Sequence, residues 1–108
     1  MTETYRDRLR QLAVSDALLS DIPPASAVTG HADAKTLALA RLAALIAIGA
    51  ADPSFGEQAD AAVSAGADAD EIVDVLVGVA AVVGTPRVVA AAPQIALALG
   101  YDIDDDVR

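Results

Sequence analysis

The sequence predicts an all-α fold, and three observations carry that prediction. Asp68 and Glu71 stand three apart in front of an apolar run. That is the spacing of a capping box: the Asp68 side chain accepts from the third helical amide and Glu71 reaches back to the cap. The run that follows ends at Gly84, and Thr85-Pro86 then reads as the cap and first position of another helix. The same punctuation, an oxygen-bearing cap in front and a glycine behind, recurs along most of the chain.

Taken in order, residues 3–19 read as a helix carrying Tyr5, Leu9, Leu12 and Leu18 with three arginines, and Ser15-Asp16 offers a break within it. Residues 22–30 hold Pro23, Pro24 and Gly30, too many breakers for a helix, and read as a loop. Asp33 caps a long helix over 34–48 that stops at Gly49. Asp52-Pro53 repeats the cap-plus-proline start and predicts a helix over 53–65, with Gly66 at its end. Helices over 69–83 and 86–99 follow, the last kinked or broken by Pro93, which removes one helix hydrogen bond. The valines of 72–89 favour strands, but the length of each run and its caps decide for helix. The acidic tail is read as loose beyond Ile103.

At 108 residues the chain reads as one domain, 1–108, able to bury roughly two thirds of its unfolded surface. It is 55% apolar but only 3% aromatic, so its core is built from Ala, Val, Leu and Ile. The helix over 69–83 is apolar on nearly every face, more surface than one small core covers, which predicts burial against identical subunits. A formal charge of −9 argues against nucleic acid and against an anionic membrane surface. Residues 37–51 are too short to span a bilayer, and 75–99 are interrupted by Gly84, Pro86, Arg87 and Pro93. With no cysteine there is no disulfide, thiolate or cysteine metal site, and residues 2–8 lack the apolar stretch of a signal peptide. A cytoplasmic location is the expectation.

Beyond these local signals, four pieces stand in a telling order: Ala32-Asp-Ala-Lys-Thr-x-Ala-Leu-x-Arg-Leu-Ala-Ala-Leu45, Ala62-Val-x-x-Gly66, Asp70-Glu-Ile-Val-Asp-Val75 and Val83-Gly-Thr-Pro86. Together, over about 32–90, they resemble the core of the carboxymuconolactone decarboxylase-like family, which includes the alkylhydroperoxidase D-like proteins. The resemblance implies a compact helical domain of about five helices, assembled as a homotrimer or homohexamer with sites near subunit interfaces. It also implies a mapping of chemistry. The peroxidase branch uses a glutamate, a Cys-x-x-Cys and a histidine, which fall here on Leu39, Ala51, Ser54 and Gln58. None of the four can serve, so peroxide reduction through a dithiol is excluded. The decarboxylase branch has histidines at Gln58 and at Gly78. Gln58 donates a hydrogen bond but does not titrate, and Gly78 offers only space.

The candidates for function are therefore few. His31, the only histidine, is either a substitute acid or base or an ordinary exposed loop residue. Arg41, inside an apolar helix, pairs with an acid of another helix or holds an anionic ligand. Arg87, at a helix start, pairs with Glu71 or Asp74 or holds a ligand carboxylate. Glu71 itself reads as a cap, and Gly78 as a point of close packing or a hollow. Gln58, Gly78 and Val82 are expected to line a common, largely apolar pocket. No metal and no cofactor is called for, since one histidine supplies too few ligands. Two functions stand open: a lyase or isomerase acting on a small organic acid, and a non-catalytic oligomer that binds an apolar ligand or serves as a structural partner.

Overall fold

The computed structural model describes residues 4–14 and 31–106. The chain divides into two compact units, Met1–Gly30 and His31–Arg108. In the first, α1 (Tyr5–Val14) begins where Thr4 and Asp7 exchange side chain-to-backbone hydrogen bonds of 3.2 and 3.4 Å. The expected extension of this helix to residues 3 and 15–19, and the loop over 22–30, lie outside the described residues.

The second unit holds α2 (Ala34–Ile48), α3 (Asp52–Ser64), α4 (Ala69–Val83), α5 (Thr85–Ala98) and a single turn, α6 (Ile103–Asp106). Among the described residues there is no strand. The helices form where the local signals place them. Asp33 Oδ1 accepts from Thr36 N at 2.7 Å, and the Asp68–Glu71 box closes with bonds of 2.8 and 3.1 Å. α2 stops because Gly49 turns into the left-handed region (φ 68°), where a Cβ would be strained. The Gly49 amide then reaches Ile46 O, and Ala50 N reaches Leu45 O at 3.1 Å. This is the paired bonding of a Schellman motif, and it recurs after α3 and after α5.

Two starts differ by one residue from their expected places. Ala51, not Asp52, is the N-cap of α3, and Gly84, not Thr85, precedes α5. Proline lacks an amide that the first turn leaves unbonded anyway, so Pro53 and Pro86 are accommodated one position deeper. Pro93 does not break α5, which runs through it. Its exposed position, with Val89 one turn back also exposed, leaves the orphaned carbonyl on the water side. The tail is helical rather than loose over Ile103–Asp106, where Asp102 Oδ1 accepts from Asp104 N at 3.0 Å.

Four helices close the core in the order α2, α3, α5, α4, each packing on its two neighbours and less on the helix diagonally opposite. Leu42 and Ile46 of α2, Phe55 of α3, Ile72 of α4 and Ile95 of α5 meet at its centre, and no polar side chain is buried among the described residues. The coverage is incomplete, leaving Ile48 of α2 and Val63 of α3 exposed. Val73, Val77 and Val82 of α4 and Val89 and Leu97 of α5 remain exposed.

Lys35 ties the start of α2 to the cap of α4 through Glu71 Oε2 at 3.0 Å. This contact is the largest cause holding the Glu71 carboxyl below its usual range, and it raises the Lys35 ammonium. A lowered carboxyl stabilises the fold above its unfolded value, and that support is lost as pH falls through the folded value. A raised ammonium stabilises below its unfolded value and loses that support as pH rises through the folded one. The pair therefore holds across the neutral range and weakens at both extremes. Glu71→Gln should flatten the acid limb of melting temperature against pH; an unchanged profile by circular dichroism would show the contact to be energetically silent.

Candidate functional site

The loop after α2 and the starts of α3 and α5 meet around a cavity of about 330 Å³. Gly49 and Ala50 supply one wall, Asp52 and the buried ring of Phe55 a second, and Pro86, Arg87 and Ala90 a third. The chain reaches this arrangement through its stop signals. Gly49 turns α2 back so that α3 starts three residues later, and Gly84 joins α4 to α5 with no intervening loop. Two helix N-termini, the positive ends of their backbone dipoles, thus border one hollow.

Arg87 is the chemically distinctive member. Between residues 42 and 107 it is the only Lys, Arg or His, set among eleven Asp and Glu. Its guanidinium lies over Gly49, where a Cβ would collide with Nη1. It thereby sits by the last carbonyls of α2, which favour a cation. Neither Glu71 nor Asp74 pairs with it: Glu71 is engaged by Lys35, and no ion pair to Arg87 is present among the described residues. Asp52 shares the cavity with Arg87 without an ion pair between them.

The other expected residues lie elsewhere. His31 is exposed just before the cap of α2, and Arg41 is half-buried on α2 with no ion pair among the described residues, so the pairing expected for it is not made. Gln58 is half-buried on α3 and donates from Nε2 to Ala38 O at 3.3 Å. Gly78 is exposed on α4, with nothing among the described residues within 4 Å of a Cβ placed there, and Val82 is 85% exposed. The cavity at Arg87 is lined by none of these three. Gly78 therefore does not serve close packing among the described residues.

Asp52 was legible only as part of a helix start, and its place in the cavity follows from geometry. One signal pointed to it: Ala51 and Ser54, where the resemblance puts the cysteines, bracket it at the start of α3. Residues 24–96 match the model of the carboxymuconolactone decarboxylase family, well over half of the chain. The chain belongs to that family. No curated protein and no solved structure matches it. The family's helical fold is present here without any cysteine. Among the described residues no helix is long and apolar enough to cross a membrane, and no group of His, Asp and Glu is placed to hold a metal ion.

Proposed function

We propose that this family member takes a small organic acid in the cavity at Arg87 and acts on it as a lyase or isomerase, without thiol chemistry. The observation that carries the reading is Arg87 itself, the one cation of α3 to α6, turned into a cavity beside two helix N-termini. A guanidinium binds a carboxylate through two parallel hydrogen bonds, and the positive ends of two helix dipoles add to the same attraction. Asp52 is the proton-handling group of the proposal: as carboxylate it takes a proton from carbon, and as acid it returns one. The test is titration of small mono- and dicarboxylic acids into the native protein and into Arg87→Gln.

The second reading is a non-catalytic oligomer, and a specific observation favours it. Gln58 is occupied by a backbone carbonyl, and Gly78 brings no functional group. Both readings share an assembly in which a second copy covers Val77 and Val82 of α4 and Val89 of α5, as a homotrimer or homohexamer, and there encloses a space over Gly78 and Val82 beside Gln58. Light scattering at micromolar concentration should give a mass of three or six chains; a stable monomer would remove this part of the proposal. A cytoplasmic location belongs to the same proposal, since nothing in the chain calls for an oxidising compartment.

A further inference from the structure

A second cavity, of about 420 Å³, shares no lining residue with the one at Arg87. Its floor is Leu76 and Ile95, both buried, its wall the small side chains Ala92 and Ala96, and its edge the exposed Val73 with Tyr101 and Ile103. The hollow exists because alanines stand where α5 faces α4 and α6, leaving apolar space that larger residues would fill. Its size is that of a small-molecule site. Its own elements carry only acidic charge past Arg87, with Lys35, held on Glu71, the cation nearest the start of α4. α4, α5 beyond Arg87 and α6 carry no Lys, Arg or His, while Asp70 follows the lining residue Ala69, and Asp102 and Asp104 flank Ile103. All three carboxylates are exposed.

We infer that this cavity binds an amphiphile with a hydrocarbon body and a cationic head, and discriminates against fatty carboxylates. The body is driven in by loss of apolar surface to water, without a directional partner. The head stays at the acidic rim, where the summed field of the carboxylates attracts a cation and repels an anion. The site is thus opposite in ligand charge to the cavity at Arg87, and it stands whether or not that cavity binds an acid.

Isothermal titration of the full chain with decyltrimethylammonium and with decanoate, both below micelle formation, tests this directly. The cation should bind saturably at one per chain, with decanoate weaker by roughly tenfold or more, and the contrast should shrink in high salt and in Asp70→Asn/Asp104→Asn. Ala96→Phe, which fills the hollow, should abolish cation binding while the helical circular dichroism stays unchanged; Ala92→Leu serves if that variant does not fold. Equal binding of the two probes, or undiminished cation binding by the filled variant, would overturn the inference. So would a fall in the mass of the filled variant by light scattering, because the hollow would then seat a second copy. The charge contrast in the native protein decides the matter even without the variants.

Discussion

Leu42→Ala should destabilise the folded His31–Arg108 unit by about 2–5 kcal/mol. Leu42 is 0% exposed and stands at the centre of the core with Ile46 and Ile72. Removing its branched end costs the transfer of those atoms and leaves a void that neighbouring helices close only in part. Against a total stability of about 5–15 kcal/mol, that is a large fraction, and a fall in melting temperature of roughly 8–40 °C is expected. Leu42→Met keeps the volume and should cost less than about 1.5 kcal/mol. Urea unfolding followed by circular dichroism separates the two. Equal losses in both variants would mean that packing at this position is not what holds the helices together.

Gly49→Ala has the next largest expected effect, and it acts on stability and site at once. The backbone there is left-handed, which costs an L-residue about 1–2 kcal/mol. The new methyl would also occupy the place of the Arg87 guanidinium, the far end of a flexible chain, which must swing away. The variant should therefore unfold at lower temperature and hold organic anions less tightly. In Arg87→Ala the collision is gone while the backbone cost remains, so the double variant should be less destabilised than the sum of the singles. Strict additivity in this cycle would show that Arg87 does not rest over Gly49.

Much of the fold was legible because helix punctuation is local chemistry. Asp33, Asp68 with Glu71, and the glycines at 49, 66 and 84 each act on amides or carbonyls a few residues away, and each boundary they mark is found in the structure. Prolines are less exact signals: they fix only the first turn, and Pro93 was survivable because it faces water. Which faces meet was not legible in the same way. α2 is apolar nearly all round, so no stripe in the sequence announces that Ala38, Leu42 and Ile46 form its buried edge. The candidate site shows the same division. Arg87 could be singled out as a cation at a helix start, but its cavity is made by Gly49, Asp52 and Phe55, brought to it only by the packing of α3 on α5.

The central claim is that the cavity at Arg87 recognises a small organic anion. Isothermal titration of small mono- and dicarboxylic acids into the native protein and Arg87→Gln measures it most directly. The native chain should bind at least one of these acids at one per chain, and Arg87→Gln should weaken that binding by about tenfold to a hundredfold, the worth of a charge-assisted bond. Identical affinity in the two proteins, or no binding of any such acid by the native chain, would contradict the claim and leave the non-catalytic oligomer as the reading that stands.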